Sequence, residues 1–198
     1  MKKWLGRGLL ALALGLSAPA AHAAKAEWHL DNKDSRLDFV SVKKGNIGEV
    51  HHFDTLSGVI RSDGRTAITI DLASVQTWIK IRNERLEKYL FETSKFPTAT
   101  ITTMLDMKQF EHLDVGEQMS TSTEVTLTLH GVSHKVEAGL QIFRLTKNRV
   151  LVIPDEIIML DASAYDLKSG LEKLKELAGL ESISTAVPVD FHFVFERR

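Results

Sequence analysis

The sequence predicts an all-β protein built from antiparallel strands, either a β-barrel or a β-sandwich. Three observations predict it. Apolar and polar residues alternate with a period of two over many segments rich in β-branched residues. Only two segments have a helical period, and the chain shows neither strand–helix–strand alternation nor an internal repeat. With 198 residues, 43% of them hydrophobic, the chain is long enough for one domain with a substantial core.

The alternation is clearest in two segments. Between residues 119 and 130, apolar residues and threonine occupy one face and polar residues occupy the other. Between residues 187 and 195, one face carries two valines followed by Phe191, Phe193 and Phe195. The other predicted strands cover residues 36–42, 56–61, 66–72, 98–107, 132–145 and 149–153. Turns are predicted at Asp63–Gly64 and His130–Gly131, where glycine permits a positive φ.

The first predicted helix places Ile79, Leu86 and Leu90 on one stripe. In the second, apolar residues recur at helical spacing at Leu167, Leu171, Leu174 and Ala178. Ser169 and Glu172 form a predicted capping box before this stripe, and Gly179 is suited to end the helix. Both helices are therefore expected to be short and amphipathic.

Residues 1–23 are typical of a cleaved secretory signal peptide. A basic start precedes an apolar run from Gly8 to Ala18, and Ala21-His22-Ala23 supplies the small residues that a cleavage site needs. The run is shorter than the ~20 residues of a membrane-spanning helix, which makes an N-terminal anchor the weaker interpretation. We therefore expect a periplasmic protein whose single domain covers residues 24–198.

Composition excludes several classes of function. The chain has 25 Lys plus Arg and 26 Asp plus Glu, a formal net charge of −1, so no electrostatic footprint for nucleic acid is present. It contains no cysteine, which excludes disulfides, thiolate nucleophiles and cysteine-based metal sites. Stability must therefore come from the apolar core.

The histidines do not predict a catalytic or metal site. His51 and His52 are adjacent, so on a strand their side chains point in opposite directions. His134 has no obvious partner ligand, and no serine lies in a nucleophile elbow. A hydrolase or metal enzyme that uses these three histidines is the weakest hypothesis, and metal analysis of protein purified without a His tag tests it.

Two clusters each allow two interpretations. Arg82, Arg85 and Lys88 either grip an anionic headgroup or form a solvated helix face, since Glu84 and Glu87 are interleaved with them. The phenylalanines at 191, 193 and 195 either pack a solid core or line a lipid pocket. The residues alone favour the solvated face and the solid core.

Four short motifs follow one another along the mature chain. They are Trp28–Asp31 with Ser35 and Phe39, Ser74–Thr77 with Arg82–Asn83 and Leu86, Leu90–Glu92 with Phe96–Pro97, and Leu127–His134. No single motif is specific, but their order and spacing together are, and over the whole mature chain the sequence resembles the YceI-like family of periplasmic proteins. The sequence departs from the family pattern at Asp34, where members usually have histidine, and in the longer Leu-rich helix predicted over 167–180.

The resemblance implies a lipocalin-like antiparallel β-barrel of about eight strands with two short helices. It also implies a long apolar cavity that binds a polyisoprenoid lipid, and hence a periplasmic carrier for a quinone-type or polyprenyl molecule with no reaction of its own. An isoprenoid lipid is then the expected ligand, and no further cofactor is required. Candidate pocket residues on the apolar strand faces are Leu37, Phe39, Ile68, Ile70, Leu127, Leu129, Val189, Phe191 and Phe193, with Arg82 and Arg85 at the rim.

The alternative is a solid-cored envelope protein that docks a partner through the helix near residues 169–180. An apolar patch on the outer side of that helix would favour docking, whereas an interior cavity would favour the carrier. The sequence leaves open whether the barrel forms a homodimer. It also leaves open whether a membrane or an envelope protein receives the lipid.

Overall fold

The computed structural model describes residues 27–110 and 112–198, so the predicted signal peptide lies outside the described residues. Its strands are β1 (Trp28–Leu30), β2 (Arg36–Lys43), β3 (Ile47–Phe53), β4 (Leu56–Ile60), β5 (Arg65–Asp71), β6 (Val75–Gln76), β7 (Thr98–Met104), β8 (Gln118–Leu129), β9 (Val132–Thr146), β10 (Arg149–Pro154), β11 (Ile158–Asp161) and β12 (Ala186–Arg197). Its helices are α1 (Lys80–Arg85), which continues as one π-helical turn over Leu86–Leu90, and α2 (Lys168–Leu177). Short 3₁₀ turns cover Leu72–Ser74, Met107–Phe110 and Ala162–Tyr165.

The strands close into an eight-stranded antiparallel barrel, as predicted. The strand β1 pairs with both β4 and β12, which completes the ring β1-β4-β5-β7-β8-β9-β10-β12. A closed ring leaves no edge strand exposed along this part of the barrel. The turn at His130–Gly131 has positive φ at both residues, as a two-residue type I′ hairpin between β8 and β9 requires.

The remaining four strands extend the barrel at one end. There β2 and β3 pair with each other, β6 pairs with β3, and both β2 and β11 pair with the N-terminal half of β12. Among the described residues, β6 does not pair with β7 and β11 does not pair with β9, so the sheet is open at these two places. The chain between β6 and β7 carries α1, and the chain between β11 and β12 carries α2. The two helices therefore cover the end of the barrel that the strands leave open.

The two helical segments pack closely because of Gly170. A Cβ atom at this position would lie 2.5 Å from the carbonyl oxygen of Tyr89 and 2.9 Å from Cα of Leu90. Only glycine allows the backbone of α2 to approach the π-helical turn this closely. The capping box predicted for α2 is wrong, because Leu167 is the N-cap residue and no side chain caps the helix.

The opposite end of the barrel is filled by side chains. Phe195 pairs with both Leu30 and Val150, and these residues belong to one buried apolar cluster with Ile68 and Phe193. We call this the closed end, and the end covered by the helices the open end. No helix among the described residues is long and apolar enough to cross a membrane.

Candidate functional site

A cavity of about 460 Å³ lies between the open end of the barrel and the two helices. Its volume is within the range that is usual for small-molecule sites, and most of its wall is apolar. Strand residues supply one side of the wall, and the first helical segment supplies Leu86 and Leu90. The structure thus contains an interior space that a solid-cored barrel would lack.

Seven of the nine candidate pocket residues line this cavity, and so do both rim arginines. The seven are Leu37, Phe39, Ile70, Leu127, Leu129, Val189 and Phe191. The two others, Ile68 and Phe193, are buried in the core outside the cavity wall, which corrects their expected position. Both residues lie on the predicted inner face of their strands. Each is two residues nearer the closed end than a neighbour that lines the cavity, Ile70 for Ile68 and Phe191 for Phe193, and side chains fill the barrel at that depth.

An aromatic row forms part of the wall. The ring of Phe53 stacks on that of Phe39, with centroids 5.3 Å apart, and lies 5.8 Å from the ring of Phe91. Both Phe53 and Phe91 line the cavity, although the sequence analysis did not select them. Phe53 lies on β3, a strand that the alternation did not predict, and Phe91 directly follows the π-helical turn. Neither position carries a periodic signal in the sequence.

The apolar stripe of α2 faces the cavity. Leu167, Leu171, Leu174 and Ala178 all belong to its lining. On the other side of the helix, Lys168, Ser169, Glu172 and Glu176 are exposed. The helix therefore uses its apolar face to close the barrel. Its outer side is polar at these exposed positions, which does not favour docking of a partner through this helix.

Charged residues gather at one side of the cavity. Arg82 of α1 donates a hydrogen bond from Nη1 to Oε2 of Glu49 at 2.7 Å, and Nζ of Lys43 lies 2.8 Å from the same oxygen. The hydrogen bond from Lys43 and the positive charge of Arg82 lower the pKa of Glu49 below its ordinary value. Arg85 donates to the carbonyl oxygen of Leu177 at 3.2 Å, at the C-terminal end of α2. Because both arginines reach other elements, the interpretation as a solvated helix face is wrong for them, whereas Lys88 is exposed to solvent.

His51 lies beside this group and is uncharged at neutral pH. It is 3% exposed, and its Nε2 atom lies 2.9 Å from Oγ of Ser41. Burial, the larger cause, and the positive charge of Arg82 together lower the pKa of His51 to about 4. The polar side of the cavity therefore combines the neutral imidazole of His51 with the carboxylate of Glu49 and the cationic side chains of Arg82 and Lys43.

The histidines of the enzyme hypothesis do not converge. His52 contacts Asp54 from the other face of β3, with Nε2 2.9 Å from Oδ1, and His134 contacts the carbonyl oxygen of Ala164 at 2.9 Å. Across residues 27–110 and 112–198, no three histidine, aspartate or glutamate side chains come together in a way that could hold a metal ion. The structure therefore gives the histidines separate local partners.

The cavity opens next to the N-terminus of α1. Among the apolar residues of its lining, Ile79 and Ile81 are the large ones that remain about half exposed to solvent. Side chains that both line a cavity and meet solvent mark its opening. We call this opening the mouth, and Arg82 and Glu49 also belong to the lining of the cavity.

Comparison with known proteins assigns the family. The model of the YceI-like domain matches residues 28–195. This chain belongs to the YceI-like family. Among solved structures it is similar to a polyisoprenoid binding domain from Saccharophagus degradans that is implicated in plant cell wall breakdown, with 42% identity and a TM-score of 0.85 over 86% of this chain and 98% of that one.

Two more distant solved structures support the fold alone. BcnA of Burkholderia cenocepacia is 19% identical with a TM-score of 0.64, over 83% of this chain and 98% of that one. A YCEI protein of Campylobacter jejuni is 18% identical with a TM-score of 0.53, over 75% of this chain and 84% of that one. No curated protein sequence matches the chain. Of these three structures, the one from Saccharophagus is described as a polyisoprenoid binding domain.

Proposed function

We propose that this YceI-like protein is a periplasmic carrier that holds an isoprenoid lipid in its cavity and performs no reaction on it. The observation that carries the proposal is the cavity itself, an apolar space inside a closed barrel with charged groups near its mouth. The 42% identical polyisoprenoid binding domain supports the choice of ligand class. The charged mouth supports a lipid with a polar headgroup, such as a quinone or a polyprenyl phosphate.

The bound lipid is expected to place its chain against the apolar wall. The proposed chain contacts are the seven cavity-lining candidates Leu37, Phe39, Ile70, Leu127, Leu129, Val189 and Phe191. Apolar burial contributes about 25 cal/mol per Å² removed from water, so a long chain binds tightly without strong polar contacts. The headgroup then lies near Arg82, Arg85 and Glu49, and these charged side chains distinguish lipids that have similar chains but different headgroups.

Native mass spectrometry of the protein from a periplasmic extract tests the proposal. We expect a discrete mass above that of the polypeptide, and solvent extraction should release an isoprenoid that identifies the cargo. The polypeptide mass should also show that residues 1–23 are absent. A ligand-free mass that persists after incubation with quinones and polyprenyl lipids would contradict the carrier function.

A further inference from the structure

Exposed apolar side chains surround the mouth of the cavity. Trp78 is 75% exposed and directly precedes Ile79, which together with Ile81 lines the mouth. The indole ring of Trp78 lies 5.4 Å from the imidazole of His52 on the outer face of β3, and exposed Val50 lies two residues from His52 on the same face. We call Trp78, Ile79, Ile81 and Val50 the mouth patch.

The backbone holds Trp78 in solvent against its conformational preference. Its φ is +64°, in the left-handed region, which a bulky residue rarely occupies. Its N–H donates to Oε1 of Gln76 at 2.7 Å, and the same oxygen accepts from Nδ2 of Asn83 at 3.2 Å. Oδ1 of Asn83 accepts from the N–H and the hydroxyl of buried Thr77, at 2.9 and 2.6 Å. Strained residues persist where the surrounding structure fixes them, and they cluster at functional sites.

Basic residues outnumber acidic ones beside the mouth patch, although Lys43 and Arg82 both pair with Glu49. Residues 78–88 contain four basic and two acidic residues, whereas the whole chain has a net charge of −1. The side chain of Lys80 is 92% exposed and lies 3.9 Å from Glu84. The hairpin between β2 and β3 adds Lys43 and exposed Lys44. Exposed tryptophan and aliphatic residues beside lysines are typical of surfaces that rest on anionic lipid.

We propose that the mouth patch docks on the surface of an anionic phospholipid bilayer, so that the isoprenoid passes directly between the bilayer and the cavity. This inference rests on the proposed function, because it supplies the route by which a carrier gains and releases its lipid. Ile79 and Ile81 of the patch border the cavity opening, so docking places the opening against the headgroup layer. An apolar chain that moves along this route is never exposed to bulk water.

Vesicle sedimentation tests the docking surface. The wild-type protein should sediment with vesicles of phosphatidylethanolamine and phosphatidylglycerol, more weakly as salt rises, and poorly with phosphatidylcholine vesicles. Trp78→Ala and Lys80→Glu should each weaken binding to the anionic vesicles about tenfold, and Trp78→Phe should retain most of it. Met104→Ala is the matched control, because Met104 is a 63% exposed apolar residue that pairs with Arg65 at the closed end. It should bind vesicles like the wild type.

A second measurement separates this inference from the proposed function. Each variant is titrated with a short-chain quinone that is soluble in water, in the absence of vesicles. Neither Trp78 nor Lys80 lines the cavity, so the variants should retain the wild-type affinity for this quinone. Two outcomes would overturn the docking surface but leave the carrier function intact. In one, the wild-type protein binds the quinone but not the anionic vesicles. In the other, the Trp78→Ala protein binds the anionic vesicles as strongly as the wild type. A wild-type protein that binds neither quinones nor polyprenyl lipids would overturn the carrier function.

Discussion

Phe191 and Phe193 lie on the same face of one strand, two residues apart, yet they belong to different regions of the molecule. Their rings stack with centroids 4.2 Å apart. Phe193 is 2% exposed and belongs to the packed closed end, whereas Phe191 borders the cavity. The alternation of a strand determines which side chains point into a barrel. Depth along the strand then determines whether they fill the core or line a ligand site.

Phe193→Ala should have the largest effect on stability. Removing a fully buried ring at the closed end creates a new cavity, so the free energy of unfolding should fall by about 3–5 kcal/mol in denaturant titration. The quinone affinity of the folded fraction should change little, because Phe193 is not part of the cavity wall. If Phe193→Ala instead weakened ligand binding at unchanged stability, the division between the two regions would be wrong.

The sequence predicted most of the strands well because its strong signals are those of a half-buried strand. The alternation left a barrel and a sandwich open, and the family resemblance implied the barrel. Strands β5, β8, β9 and β12 alternate clearly, and their observed ends lie within two residues of the predicted ones. The strand β3 was missed for a physical reason. Its inner face carries Glu49 and His51, which line the polar side of the cavity, so the expected apolar alternation is absent. The polar side chains that this strand contributes to the cavity wall thus removed its sequence signal.

The candidate site was only partly predictable. Inner-face residues were identified from their alternation, but depth depends on how the strands close, which no local pattern encodes. The contact between Arg82 and Glu49 joins residues 33 positions apart, and Arg85 reaches Leu177 across 92 positions. Such pairings follow from the packing of the helices on the barrel. The two arginines could therefore be predicted from the sequence as site residues, but their partners could not.

The free energy of unfolding should depend on pH through His51, which lies on the polar side of the cavity, whereas the apolar side chains that fill the closed end do not titrate. Burial and Arg82 lower the pKa of His51 from 6.5 to about 4 in the folded protein, so the unfolded state binds the proton more tightly. As pH falls from 6.5 to 4, the free energy of unfolding should therefore drop by up to about 3 kcal/mol through this residue.

The variant His51→Gln isolates this contribution, because other carboxylates also titrate at acid pH. Glutamine keeps a polar group near Ser41 but has no proton to gain. Denaturant titrations at several pH values between 7 and 4 should give a shallower loss of stability for His51→Gln than for the wild type. Parallel pH profiles for the two proteins would contradict a buried, neutral His51.

Gly170→Ala should separate the two helical segments that cover the open end. The new Cβ would meet the backbone of Tyr89 and Leu90, so the helices must move apart, at a cost of about 1–3 kcal/mol. Ser169→Ala is the matched control on the same helix. Ser169 is exposed and caps nothing, so its loss should change stability by less than about 0.5 kcal/mol. Thermal unfolding of the two variants measures the difference, and equal melting temperatures would show that the close helix contact is dispensable.

Phe191→Ala completes the comparison with Phe193 and should cost much less stability than Phe193→Ala. The cavity already exists beside Phe191, so truncation enlarges a space and does not create one, and the free energy of unfolding should fall by about 1 kcal/mol. Ligand binding should weaken about tenfold, or about 1.4 kcal/mol, because the chain loses an aromatic contact. Quinone titration and denaturant unfolding on the same sample measure both quantities. The two alanine variants should thus show opposite patterns, and a Phe191→Ala protein with full affinity would mean that the ligand does not reach this part of the wall.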